Sequence, residues 1–292
     1  MKNKVEEYLS SIGVNLEDTK YAIQISNVDD WEESKQLNKN RKQALKEGRI
    51  MLTFMGQDLV EPTWSNFTKP FLFFKFKGAS KIYYGREVKL VNLGISKKKR
   101  KEAKEFMNKY HEQQFTGAKF YYEFLDKDDN ILGVVTFGTN QQYKGKGIIE
   151  LKRMVFLPDI QIRYALSKVV KNFFKDYPEY TSMMSYSNNN IGIGNAYEKS
   201  GFNFVKETTP SLRYYSPSDP QDSYSWSVAS SWGAKSGVIA RALYSMDINN
   251  KEAEQVVINE LPHRTDEGKG YLPVYDTGNK LWKISRGDVL GD

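Results

Sequence analysis

Cysteine is absent from the 292 residues, which excludes disulfides, thiolate nucleophiles and thiolate metal sites. Histidine is scarce: His111 and His263 are the only two, which argues against a multi-histidine cluster, and no metal site is expected. No run reaches the roughly 18 uninterrupted apolar residues that a membrane span needs. The Met-Lys-Asn-Lys start leads into charged sequence rather than an apolar signal core. The expectation is a soluble, cytoplasmic protein. No internal repeat is visible.

What is present points to a folded chain. Hydrophobic residues at 39% and aromatics at 14% exclude general disorder. The length suits one large domain, or a central domain with smaller attachments, and either buries a sizeable core. A formal charge of +7 and a pI near 9.1 suit a polyanionic partner such as nucleic acid. The competing explanation is a general Lys and Asn bias.

Along the chain, VEEYLSSIGV and WEESKQLNKNRKQALKEGR read as charged helices, the second ending at Gly48, with YAIQI a strand between them. From Ile50 to Leu93 the aromatic and β-branched runs IMLTFM, FLFFKFKG, KIYYG and VKLVNLG read as a small β-rich region. Ser96 then caps a helix, SKKKRKEAKEFMNKYHEQQF, in which Ala103, Phe106, Met107 and Tyr110 recur at helical spacing. Its first turn carries five consecutive cations, Lys97 to Lys101, which oppose the helix dipole. Either they grip phosphates or they form a solvated face. AKFYYEFLD and ILGVVTFG, separated by Lys127-Asp128-Asp129-Asn130, make an antiparallel hairpin. A Gly-rich, basic loop follows, with Tyr143, Lys144 and Lys146.

The stretch from Glu150 to Thr209 organises the rest. Glu150 to Phe156 reads as a strand, Pro158-Asp159 as a turn and YALSKVVKNFFKDY as an apolar helix. MMSYSN is then a short strand, GNAYEKSGF a short helix closed by Gly201 and FNFVKET a final strand. Two strands each followed by a turn and a helix would aim both helix starts at one sheet edge, where open α/β sheets bind ligands. Beyond Pro210 the period is lost. NKEAEQVVINEL reads as a helix, and GYLPVYDTGNKLWKI as two strands around Asp276-Thr277-Gly278-Asn279.

This order, with YEKSGF closing the last helix, resembles the GNAT acyltransferase fold, and within it the Mom-type DNA-modification branch and its phage relatives. KEAKEFMNKYHEQQFTGAK, ILGVVTFG, ELKRMVF, SYSNNNIGIGNAYEKSGF and VYDTGNKLW carry the resemblance. It implies an α+β fold with a GNAT-like mixed central sheet flanked by helices. Residues 1–85 would be an extension, helical and then β-rich, residues 86–215 the catalytic domain, and 216–292 a C-terminal extension ending in a strand pair on the core. The implied activity is transfer of an acyl or acyl-like group from acetyl-CoA or a related acyl-CoA to an amine, in the Mom branch the exocyclic amino group of adenine in DNA. A phage-encoded enzyme of this kind would work in the infected bacterial cell. The other readings are a GNAT-derived scaffold that binds nucleic acid or a protein partner, and an ordinary N-acetyltransferase.

The resemblance also implies site residues. Met154, Val155 and Phe156 would run along the coenzyme arm, with Ile162, Arg163, Tyr164, Ala165 and Ser167 at the phosphates and Asn195 nearby. The phosphate loop lacks the family's glycines, and Tyr164 stands where glycine is expected, so Arg163 and the Ser167 hydroxyl would compensate. Arg153 would hold phosphate or a substrate carbonyl, or else pair with Glu150 or another acid. Tyr197 would protonate the leaving thiolate, or else pack as an aromatic. Asn188 replaces an aspartate of the family and cannot act as a base; its other role is to form the turn in SNNN. His111 would be a base or a metal ligand, or else structural. Lys97, Lys98, Lys99, Arg100, Tyr143, Lys144 and Lys146 would contact DNA.

Overall fold

The structure is a computed structural model, and it describes residues 2–26, 31–59, 61–113, 115–140, 145–210, 212–215 and 272–291. These form two compact units. The first draws on Met1–Thr68, Asn188–Gly192 and Thr209–Gly278, the second on Lys69–Ser187, Ile193–Thr208 and Asn279–Asp292.

In the first unit, β1 (Tyr21–Ser26) and β2 (Ile50–Met55) pair in parallel and are joined through α2 (Trp31–Lys46), which follows α1 (Lys2–Ser11). The crossover helix is what a parallel pair requires. The strand expected at YAIQI is β1, and IMLTFM is β2. The helix expected at NKEAEQVVINEL lies outside the described residues.

The second unit carries the candidate site. α3 (Lys69–Lys77) and β3 (Lys81–Tyr84) lead into β4 (Lys89–Asn92), then α4 (Lys97–Tyr110), β5 (Phe120–Leu125), β6 (Ile131–Gly138) and β7 (Ile148–Phe156). β8 (Ile160–Arg163), α5 (Ala165–Asp176), β9 (Ser182–Asn188), α6 (Asn195–Glu198) and β10 (Asn203–Glu207) follow. A seven-stranded mixed sheet runs β10-β13-β9-β7-β6-β5-β4, where β13 is Asn279–Ser285. The fold is the α+β, GNAT-like mixed sheet flanked by helices. The two C-terminal strands do not pair with each other: β13 joins this sheet, whereas β12 (Leu272–Tyr275) pairs with β11 (Leu212–Tyr215) in the first unit.

Both faces of the sheet are covered, which explains why β5 is buried along its whole length. On one face, α5 presents Leu166, Val169, Val170, Phe173 and Phe174 at helical spacing to Phe120, Tyr122, Phe124 and Phe137. On the other, α4 seats Ala103 and Met107 against Tyr121, Val134 and Val155. Beneath α4 lies Glu123, 4% exposed, with its carboxyl raised above the usual range, first by burial and also by Glu102, while Lys99 acts against the rise. That carboxylate gives the cationic first turn a partner of opposite sign, which offsets part of the dipole penalty.

Two expectations are corrected. FLFFKFK is not a strand but helix α3, with Leu72 buried. Its aromatics favour strands only as a weak prior, and Pro70 lies just after the π-helical turn Trp64–Thr68, where the regular hydrogen-bond ladder is already interrupted. The expected loop at 161–163 is part of strand β8, which pairs in parallel with β3. Alternation explains it: Ile160 and Ile162 are buried while Arg163 is exposed.

Candidate functional site

The site begins where two parallel strands part. β7 and β9 pair only over Ile148–Glu150 and Ser182–Met184, and the register ends there. On its other edge β7 stays bonded to β6 through Phe156. A bulge sits at the parting point: Thr136 opposes Arg153 and Phe137 opposes Leu151, so Lys152 is the extra residue. The bulge switches the alternation. Leu151 faces the α5 core, whereas Val155 faces the α4 cluster, which places Arg153 on the α4 side as well.

Ser185 spans the opening. Its hydroxyl donates to the Leu151 carbonyl at 3.1 Å and lies 2.9 Å from the Tyr197 hydroxyl. Either hydroxyl of this pair can be the donor. Tyr197 is wedged between Phe202, edge-on at 5.4 Å, and Trp282, stacked at 5.8 Å and 10°. Burial raises its phenol above the ordinary value, against the Ser185 hydrogen bond and the charge of Arg153, which lower it.

Arg153 links the other members. Its guanidinium donates to the Lys152 carbonyl at 2.8 Å, and its charge is felt by both Tyr197 and His111. Glu150 pairs with the bulged Lys152 at 2.7 Å, with both side chains mostly buried. Glu150 also accepts from Asn140 at 2.8 Å, and its charge reaches Tyr197.

His111 caps the C-terminus of α4, and its Nδ1 accepts the Gln113 N–H at 3.1 Å. Burial, and then Arg153, push the imidazole down to about 3. It therefore stays neutral and is a poor proton acceptor near pH 7. The folded state refuses a proton that the unfolded chain takes below its ordinary value near 6.5, so this stabilisation is full above 6.5 and is lost as pH falls toward 3. Between pH 7 and 5 the wild type should lose about 2 kcal/mol more than His111→Gln, read from urea midpoints. Equal losses would rule this out.

The phosphate-loop residues divide. Ile162 and Ala165 are buried in the core, and so is Val155 on the α4 side, whereas Met154 and Phe156 are partly buried against the α5 core. Arg163 is exposed and donates to the Tyr84 hydroxyl at 3.2 Å. Tyr164 starts α5 in the left-handed region, φ 64, and its side chain makes no capping hydrogen bond. Glycine prefers that backbone, so the chain keeps the glycine geometry while carrying a side chain that is 73% exposed. The helical ladder of α5 begins with the Lys168 N–H donating to the Tyr164 carbonyl, which leaves the N–H groups of Ala165, Leu166 and Ser167 without intrahelical acceptors. Asn195, at the start of α6, is exposed.

Asn188 belongs to the first unit, and its Oδ1 accepts the Asn190 N–H at 2.9 Å, the turn expected of SNNN. Among the expected DNA contacts, Lys97, Lys98, Lys99 and Lys146 are exposed. Arg100 is occupied: its guanidinium donates to the Gly94 and Lys119 carbonyls and lies over Tyr121. Tyr143 and Lys144 lie outside the described residues. No group of three His, Asp or Glu side chains suited to a metal occurs among the described residues, and no helix among them is long and apolar enough to cross a membrane. Sequence reasoning missed Ser185 and Trp282. Alternation in MMSYSN marks Ser185 as inward, but nothing in the sequence indicates its partners.

A mixed sheet that opens between two parallel strands, with a long helix starting at one side, is a GNAT-like fold. The chain belongs to the Mom protein family, whose model matches residues 92–260. No curated protein matches it. Solved structures similar to it include a Bacillus subtilis acetyltransferase in complex with CoA, at 9% identity and TM-score 0.33, over 68% of this chain and 98% of that one. A spermidine/spermine N-acetyltransferase from Vibrio cholerae shows 11% identity and TM-score 0.36, over 70% and 96%. A phosphinothricin N-acetyltransferase-like structure shows 10% and 0.34, over 68% and 98%.

Proposed function

We propose that the chain is a Mom-type N-acyltransferase that takes an acyl or acyl-like group from a coenzyme A thioester and delivers it to a nucleobase amine in DNA. The observation that carries this reading is the parting of β7 and β9 with the Ser185–Tyr197 pair across it. Beyond Glu150 the β9-facing edge of β7 has no strand paired to it among the described residues, so backbone groups from Lys152 to Phe156 suit an amide-bearing arm. The start of α5 suits a pyrophosphate: three N–H groups lack intrahelical acceptors, the backbone keeps a glycine-like turn, and Arg163 stands beside it.

The coenzyme would supply an activated carbonyl. The chain supplies the rest. Tyr197 Oη, kept protonated by burial and oriented by Ser185, is a proton source at the opening. Arg153 puts a fixed positive charge near the Tyr197 hydroxyl, suited to the negative charge that develops on the carbonyl oxygen in acyl transfer. Neutral His111 leaves proton removal from the amine to another group or to water. The exposed cations of α4, Lys97, Lys98, Lys99 and Lys101, support a DNA substrate through its phosphates.

Two measurements test the reading. Calorimetry with acetyl-CoA should show binding in the micromolar range, about −8 kcal/mol. Mass spectrometry of nucleosides from cells expressing the protein should show a new adduct. Absence of both signals would reject it.

A further inference from the structure

The most exposed large apolar side chain among the described residues is Ile95, 90% exposed. It stands on the turn that enters α4, and that turn is braced on both sides. Gly94, with φ 54, donates its N–H to Asn92 Oδ1 at 3.0 Å, and its carbonyl accepts two hydrogen bonds from the Arg100 guanidinium, one of them at 2.9 Å. Arg100 reaches on to the Lys119 carbonyl at 3.2 Å and lies over the Tyr121 ring, which fastens the turn to β5. Leu93 is buried, and its carbonyl accepts the Ser96 N–H at 3.2 Å. We propose that Ile95 is a wedge that enters the minor groove of duplex DNA between two base pairs and kinks it, while the cations around it hold the flanking phosphates. The proposal rests on the DNA reading above and adds to it how the duplex is deformed.

A single exposed apolar residue is common on protein surfaces and by itself indicates nothing. Ile95 differs in its setting. Lys97, Lys98 and Lys99 follow it, all exposed, and no carboxylate lies within ion-pair distance of them among the described residues. Lys101 meets only Glu105, at 3.9 Å with both side chains largely exposed. An apolar tip ringed by cations complements a groove whose walls are phosphates and whose floor is stacked bases. A lipid surface fits less well, because stable attachment takes more apolar surface than one side chain supplies, and the chain neighbours of Ile95 are Gly94 and Ser96. α4 also relates the wedge to the opening. It runs 14 residues, about 21 Å at 1.5 Å per residue, and is capped at its far end by His111 beside Arg153. At about 3.4 Å per base pair that span is about six base pairs, so a duplex engaged by Ile95 would be kinked within that distance of the opening. A base must leave the stack before its amine reaches an enclosed site, and a kink nearby weakens the stacking that resists this.

The test uses the full chain and a duplex about 20 base pairs long with donor and acceptor dyes at its two ends. Anisotropy reports binding, energy transfer reports bending, and a thermal melt confirms the fold of each variant. The wild type should bind and bend the duplex by about 20° or more. Ile95→Ala should bind within about threefold of wild type, since phosphate contacts dominate affinity, yet leave the duplex unbent. Lys97→Ala/Lys98→Ala should do the reverse: binding weakens about tenfold or more and the salt slope falls by about 2, while the bend at saturation remains. No binding of the duplex, no rise in energy transfer, or an equal rise with Ile95→Ala overturns the wedge. Binding to phosphatidylserine vesicles that Ile95→Ala abolishes, with the duplex left unbent, also overturns it and makes the partner a lipid surface. If the bend depends on Ile95 while nucleosides carry no adduct, the wedge stands and the transferase reading falls; an adduct formed on a duplex that stays unbent gives the opposite result.

Discussion

Replacing Tyr197 by Phe is expected to lower the acyl-transfer rate by about 10²- to 10³-fold while leaving acetyl-CoA affinity and the thermal melt close to wild type. The substitution removes one oxygen. The ring stays between Phe202 and Trp282, so packing is preserved, and only the bond to Ser185 is lost. Because burial raises the phenol, the wild-type rate should hold through neutral pH and fall only above the ordinary tyrosine range near 10. Ser185→Ala supplies the comparison: it leaves the phenol in place but unanchored, and should cost less than Tyr197→Phe. A Phe variant within about threefold of wild type would remove Tyr197 from the proton path and return it to a packing role.

The sequence is readable where one physical signal dominates. α5 shows itself through Leu166, Val169, Val170, Phe173 and Phe174, since burial at helical spacing needs no other information. The β5–β6 hairpin shows itself through the turn Lys127-Asp128-Asp129-Asn130, which in the structure is closed by Asp126 Oδ1 accepting the Asp128 and Asn130 N–H groups. Signals fail where tertiary context decides. FLFFKFK carries strand-favouring aromatics into a helix, and IQIR becomes a strand only because β3 comes from far upstream to pair with it. The candidate site is harder still. Arg153 and Tyr197 are named by motif order, yet the bulge at Lys152 that turns Arg153 to the α4 face leaves no mark in ELKRMVF. His111 looks like a base in isolation, and only its depth beside Arg153 makes it a poor one. Arg100 looks like a phosphate ligand and is instead fastened to Gly94 and Lys119.

Gly194→Ala is expected to destabilise the protein by about 2–4 kcal/mol, a large effect for one methyl group. Gly194 has φ 85, a conformation that costs a side-chain-bearing residue about 1 kcal/mol. An added Cβ would also lie 2.4 Å from Trp282 Cζ2 and 2.9 Å from its Nε1. The indole cannot retreat easily. It is 5% exposed, its Nε1 donates to Ser187 Oγ at 2.9 Å, and its ring stacks on Tyr197. Overpacking of this kind costs about 1–3 kcal/mol, and any shift of Trp282 carries Tyr197 away from Ser185. Chemical denaturation measures the loss, and near-ultraviolet circular dichroism reports the indole. In a Trp282→Phe background the smaller ring should relieve the clash and leave only the backbone cost, so the penalty of Gly194→Ala should shrink to about 1 kcal/mol. If the penalty is the same in both backgrounds, the contact with Trp282 is not what requires glycine, and the close approach that ties β13 to the opening has no energetic weight.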